Sequence, residues 1–374
     1  ELSASAFDEK VDFMGSSLSI GASHDYATAG FTSLKKYEKD TLGLLAGILT
    51  NPGLRDADIE RKRAEQVAGI KAEEEEPGYV AGVAFAKGLY GNTPYGDPTA
   101  GTSDSVAKLT ADDVRKFYRD YYKLGSAVIA VAGDVQADEV KALLEKELPG
   151  PTGTVPVQAE PQVPTLPAGL DVKLVDRNVQ QANVMLGFVG IERSNPDFYK
   201  IQVMNYILGG GVFASRLMKT VRSKAGLAYH VSSVFDARKF PGPFAVVLGT
   251  KNQSANDAIK MVLQQMRQMQ ESPVSDAELD NARKFLVGSF PLKIDRQGQK
   301  ASFMLELELY GLGLDYADRY PKLIESVTKQ DVQDVAKKYL HPDNALLVVV
   351  ADQHVAAINT AMLSQTAAGT SGGK

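Results

Sequence analysis

The sequence predicts a mixed helix-and-strand protein built from two copies of one fold. The first observation behind this is an internal repeat. LTADDVRKFYRDYYKLGSAVIAVAGD, residues 109–134, matches VTKQDVQDVAKKYLHPDNALLVVVAD, residues 327–352, without a gap. Asp113 pairs with Asp331, Val114 with Val332, Tyr121 with Tyr339, Ala127 with Ala345 and Asp134 with Asp352, all at an offset of 218. Leu89-Tyr90-Gly91 recurs as Leu309-Tyr310-Gly311, and Ile59 with Arg63 as Leu279 with Arg283, at an offset of 220. Self-similarity at a fixed offset is the mark of duplication. The second observation is length: 374 residues exceed one typical core. The expected layout is a first domain over 1–148, a proline-rich linker over 149–169 and a second domain over 170–363. A small, polar tail at 364–374 is expected to be disordered. Subtracting the offset from Leu170 places the opening of the first copy roughly 50 residues before Glu1. The first domain is therefore expected to lack its N-terminal part.

The elements follow in order. Phe7, Val11 and Met14 have helical spacing over the first fourteen residues. Residues 16–31 read as a strand pair turning near His24-Asp25. A helix carrying Leu42, Leu45 and Ile48 ends at Asn51-Pro52-Gly53. Asp56 to Glu76 reads as a long charged helix, and its Glu73 to Glu76 run as a solvated face, because it lacks the spaced ligands and glycine of a calcium loop. A helix with Val83, Phe85 and Leu89 comes next. Thr110 opens another through Tyr122, with Asp112 and Asp113 favoured in its first turn. AVIAVA, Ala127 to Ala132, reads as a strand buried on both faces.

Composition narrows the function. The net charge of −5 gives no electrostatic argument for nucleic acid or an anionic membrane, and no apolar run approaches a bilayer span. The absence of cysteine excludes disulfides, thiolate metal sites and a cysteine nucleophile. No phosphate loop, dinucleotide fingerprint or G-x-S-x-G stands in a credible setting.

One stretch carries chemistry: GGGVFASRLMKTVRSKAGLAYHVSSVF, residues 209–235. Gly209, Gly210 and Gly211 end an apolar helical run, a short basic segment follows, and Gly226 stops it in the manner of a left-handed helix cap. Arg222 then lies near a helix end and Tyr229 on the strand that follows. Both donate hydrogen bonds, and together they suit a carbonyl or carboxylate. The same two residues also fit plain structure, since an arginine in a last helical turn complements the macrodipole and a tyrosine in a strand is ordinary packing. His230, if the strand is regular, points to the face opposite Tyr229.

Ser215-Arg216-Leu217, Val221-Arg222 and Gly226-Leu227-Ala228-Tyr229 resemble the second domain of the pitrilysin/insulinase zinc peptidases. Asn51-Pro52, Ile59-Glu60-Arg61, the Pro77 break, Leu89-Tyr90-Gly91 and FYRDYY followed by VAGDV resemble the first. The resemblance covers nearly the whole chain. It implies an α+β fold: two homologous domains, each a mostly antiparallel sheet covered by helices. Active members of this family carry H-x-x-E-H and a further glutamate as zinc ligands, with the first glutamate activating the metal-bound water. The histidines here, His24, His230, His341 and His354, form no such pair, and Gly69 stands where the third-ligand glutamate belongs, with Glu65 and Glu73 a turn away on either side. No metal site is therefore expected on this chain, and zinc is expected on a partner. The resemblance assigns Arg222 and Tyr229 to the substrate backbone and the carbonyl under attack, and Gly209 to Gly211 to a loop at the substrate chamber, where a plain helix stop is the alternative.

The expected function is that of a zinc-free, substrate-binding subunit, inactive alone, which forms a heterodimer with a zinc-bearing homologue to hydrolyse unfolded peptides. A non-proteolytic scaffolding homologue is the alternative. The resemblance also implies a periplasmic location, with the cytoplasm as the alternative.

Overall fold

The computed structural model describes residues 3–148, 153, 155–156, 162, 164–165 and 168–367. Among them are helices and two sheets, and the fold is α+β. The chain divides into two compact units, and each takes segments from both halves of the sequence. One comprises Glu1–Lys71, Thr99–Ala159 and Leu292–Gly313; the other comprises Ala72–Pro98, Glu160–Pro291 and Leu314–Lys374. The exchanged segments include the helices Pro77–Tyr90 and Gln297–Leu309, which occupy equivalent places in the repeat. The expected linker, 149–169, lies largely outside the described residues.

In the first unit, β1 (Ser17–Ala22) and β2 (Ala27–Thr32) form an antiparallel ribbon. Its turn is held by Ser23 Oγ, which accepts from the Asp25 and Tyr26 amides at 3.2 Å each. The helix Ala4–Phe13 is capped by Ser3, and Val11, Met14, Leu42, Leu45 and Ala46 are buried. Thr110 and Asp113 cap the helix Ala111–Tyr121 reciprocally, as Thr328 and Asp331 cap Lys329–Tyr339 in the other unit. The repeat is thus reproduced down to its helix caps.

The strand expected at Ala127–Ala132 is a correction. These residues pair with no strand among the described residues, and Val128, Ile129 and Val131 are 55%, 52% and 44% exposed. Their counterpart β7 (Ala345–Ala351) is buried throughout: it is an inner strand of its sheet, and the helix Pro77–Tyr90 packs on Leu346 and Val348. An apolar run is fit for burial, but neighbours supply it.

The second unit is built on a five-stranded sheet. Its order is β3 (Leu170–Asp176), β7, β4 (Gln181–Val189), β6 (Pro243–Lys251) and β5 (Ala228–Phe235). Only β3 and β7 are parallel. Leu346 and Val348 of β7 meet Phe85, Leu89 and Tyr90 of the helix Pro77–Tyr90, with Tyr95 and Ala245 completing the cluster. The Tyr90 hydroxyl donates to the Pro241 carbonyl at 3.0 Å, and burial pushes that phenol's pKa up. Gly187 has no room for a side chain, since a Cβ there would lie 1.9 Å from the Phe244 carbonyl oxygen.

The tail expected to be disordered from 364 is helical up to Ala367, within Thr360–Ala367, and residues 368–374 lie outside the described set. Leu363 is fully buried and Arg267 Nε donates to the Thr366 carbonyl at 3.1 Å, which together fix that helix. No helix among the described residues is long and apolar enough to cross a membrane.

Candidate substrate-binding site at the edge strand

The sheet of the second unit ends at β5, which among the described residues pairs with β6 alone. The segment leading into β5 and the start of that strand hold all the sequence-derived site residues. The helix Phe198–Asn205 widens at its end into a π-turn, Tyr206–Gly210, closed by the Gly211 amide donating to the Tyr206 carbonyl at 2.9 Å. Such turns are uncommon and recur at functional sites. The three glycines are there for lack of space, and none has a positive φ. A Cβ on Gly209 would lie 2.4 Å from Ser233 Oγ of β5, one on Gly210 would lie 2.8 Å from Asn205 Nδ2, and one on Gly211 would lie 2.7 Å from the Tyr206 carbonyl. Asn205 also ties this turn to β5: its Nδ2 donates to the Ser233 carbonyl at 3.1 Å, and Ser233 Oγ donates to its Oδ1 at 2.7 Å. A cavity of about 210 Å³ opens beside the turn, lined by Phe198, Gln202, Tyr206, Phe235 and Phe285.

Val212 follows with φ of +44°, a left-handed conformation that is costly for a β-branched residue. Phe213 beside it is 70% exposed. Ser215 Oγ accepts from the Met218 amide, and Arg216 makes a two-pronged pair with Glu278, at 2.7 and 3.0 Å. That guanidinium, more than any other group, holds the Glu278 carboxyl down at about 2. The segment Met218–Lys224 is again π-wound, with the Ala225 amide donating to the Thr220 carbonyl at 3.1 Å. Gly226, at φ +67°, ends it as expected. Arg222 is exposed; it reaches Met218 Sδ at 3.9 Å and its guanidinium carbon lies 5.8 Å from the Phe213 ring centre.

Tyr229 lies on β5 but not in regular register. Ala228 pairs with Thr250 and His230 with Gly249, which leaves Tyr229 as the extra residue of a β-bulge. From His230 onward the strand alternates normally, with Val231 and Ser233 buried and Ser232 and Val234 exposed. Regular alternation would put Tyr229 on the inner face with Val231 and Ser233. The bulge instead turns Ala228 in, at 8% exposure, and Tyr229 out, at 49%. Tyr229 and His230 are thus both exposed, which corrects the expectation that they face opposite sides. Arg222 and Tyr229 are therefore presented by adjoining elements, and no hydrogen bond joins their side chains among the described residues.

Sequence reasoning missed Asn205, Phe213 and Gly249. An isolated glycine in an apolar strand marks a bulge or a close approach, so Gly249 within AVVLGTK was the available signal.

The remaining histidines are dispersed. His341 packs edge-on against Phe188 at 4.9 Å, and burial lowers its pKa. His354 lies in the short helix Gln353–Ala356. Gly69 sits in the helix Asp56–Glu73, where Glu65 is engaged by Arg61 at 2.8 Å and Lys62 at 2.9 Å. Among the described residues no three histidine, cysteine, aspartate or glutamate side chains converge in a metal-binding group. This donor set does not fit a zinc site.

The candidate site is thus an α+β unit's bulged edge strand, preceded by a basic π-turn and a glycine-rich loop. Comparison with known proteins adds to this. The family description "Peptidase M16 inactive domain" matches residues 108–286. A protein of Streptomyces coelicolor described as an uncharacterized zinc protease is 31% identical over 82% of this chain and 68% of its own length. The non-peptidase homolog YmxG of Helicobacter pylori is 25% identical over 94% and 81%. The crystal structure of a peptidase M16 inactive domain from Pseudomonas fluorescens superposes with a TM-score of 0.87 at 26% identity, covering 94% of this chain and 84% of that one. The chain belongs to the pitrilysin/insulinase peptidase family, M16.

Proposed function

We propose that this chain is the zinc-free, substrate-binding subunit of a two-chain pitrilysin-like metallopeptidase. The observation that carries this reading is the joint presentation of Arg222 and Tyr229. Both are exposed, Arg222 on the π-wound segment before the edge strand and Tyr229 at the strand's start, set outward by a bulge at the cost of regular pairing. A partner homologue would hold the zinc, since the described residues of this chain do not fit it. An unfolded peptide would lie in extended form and be read mainly through its backbone. Arg222 would donate to a backbone carbonyl of that peptide, and the Tyr229 hydroxyl would donate to the oxygen of the carbonyl under attack. Two positioned donors contribute most where negative charge develops. Neither residue needs to transfer a proton for this role, and alone the chain would not hydrolyse peptides.

The test is peptidase activity on a quenched, unfolded peptide with zinc present, for this chain alone, a zinc-bearing homologue alone and the mixture. Activity in the mixture only, reduced by about a hundredfold to a thousandfold in Tyr229→Phe for the lost oxyanion donor and less in Arg222→Ala for the lost backbone contact, is expected. Activity from this chain alone would overturn the zinc-free reading. A mixture no better than the homologue, and indifferent to both substitutions, would favour a scaffolding role instead.

A further inference from the structure

We infer that His230 and Gly249 form a cross-strand pair that positions Tyr229, and that this pair is part of the peptide-binding apparatus. The inference rests on the reading of Tyr229 as a substrate-binding donor. The imidazole of His230 occupies the space over Gly249, where a side chain would otherwise stand: a Cβ on Gly249 would lie 2.3 Å from His230 Cε1 and 2.6 Å from Nδ1. Gly249 is buried although its partner residue is exposed, because the imidazole covers it.

The pair sits at the residue where the register changes. On one side of the bulge, the Thr250 hydroxyl, fully buried, donates to the Leu227 carbonyl and holds the entry to β5. On the other side, His230 is seated on Gly249. Between these two anchors, Ala228 and Tyr229 span the distance that one residue covers on β6. A bulge is stable only where both flanks are fixed, because the alternative of slipping by one residue restores regular pairing. Here that slip would carry Tyr229 to the inner face and Ala228 outward. The glycine makes room for the imidazole, the imidazole fills the gap left by the glycine, and the register they fix keeps the phenol outside. His230 is accordingly a positioning residue, not one that touches substrate.

The experiment measures binding of a fluorescein-labelled, unstructured decapeptide to the full chain by anisotropy, with circular dichroism and urea unfolding run alongside. The set comprises wild type, Tyr229→Phe, Gly249→Ala, His230→Ala, the double variant His230→Ala/Gly249→Ala, and both single changes combined with Tyr229→Phe. Gly249→Ala is expected to weaken binding about three- to tenfold, the worth of one hydrogen bond, while keeping the wild-type dichroism spectrum. The double variant, in which the new methyl group enters the space left by the imidazole, is expected to recover part of that loss. In the Tyr229→Phe background, neither Gly249→Ala nor His230→Ala should weaken binding further, since residues acting through one group are not additive. Equal losses in the presence and absence of the phenol would overturn the inference and leave the pair as packing. If Tyr229→Phe itself leaves binding unchanged, the underlying reading of Tyr229 fails. A Tyr229→Phe loss with unaffected His230 and Gly249 variants refutes the positioning role alone.

Discussion

Glu278 anchors the candidate site through one carboxylate. It caps its own helix through Ser275 and grips Arg216, six residues before Arg222. Its pKa is held near 2 against an ordinary 4.5, so the folded value is the depressed one. The stability it contributes is therefore present above about pH 4.5 and is lost as pH falls through 2. Urea unfolding of wild type and Glu278→Gln should differ most above pH 5 and converge toward pH 2; a constant difference would show that the ion pair is irrelevant to the acid limb. At this scale, residue types and spacing left Arg222 and Tyr229 equally compatible with plain structure, and only the family resemblance singled them out as candidates. The facing of His230 was not legible. It depends on which residue of β6 lies opposite, and Gly249 and Thr250 are about twenty residues further along the chain.

Among the elements, the loop after Gly211 stores strain. Val212 takes a left-handed backbone with its side chain 56% exposed, so little packing compensates for it. Val212→Asn, which tolerates that conformation, should stabilise the fold by about 1 kcal/mol in urea unfolding. No gain, or a loss, would mean that the exposed valine contributes more by its contacts than it costs in strain. The π-turns on either side were not legible, because helical periodicity is read at 3.6 residues per turn and a local widening leaves no compositional mark. Helix existence was read well wherever a cap and a stop coincide, as at Thr110 and Asn51-Pro52. The repeat shows the limit. The helix caps Thr110–Asp113 and Thr328–Asp331 are matched, yet the apolar run that follows is exposed in one copy and fully buried in the other. Burial is a property of neighbours, and one strand's sequence does not contain them.

For the whole molecule, duplication was legible while the allotment of segments was not. A repeat fixes which residues correspond, but not whether a helix packs on the sheet of its own copy. The second unit takes Pro77–Tyr90, whose Phe85 and Leu89 cover Leu346 and Val348. A fragment beginning at Glu160 should therefore expose an apolar sheet face, bind a hydrophobic dye and unfold at lower urea concentration than the unit within the full chain. Joining residues 72–98 to its N-terminus through a flexible linker should reverse both effects, and failure to do so would show that the helix is dispensable. The same allotment sets a timetable during synthesis. The helix Pro77–Tyr90 leaves the ribosome roughly 250 residues before the last strand of its sheet, β7, is made. At ordinary elongation rates that is a wait of roughly 13 to 50 s. For that interval its apolar face lacks the sheet on which it docks, and both units wait for segments late in the chain, the first for Leu292–Gly313 and the second for Leu314–Lys374.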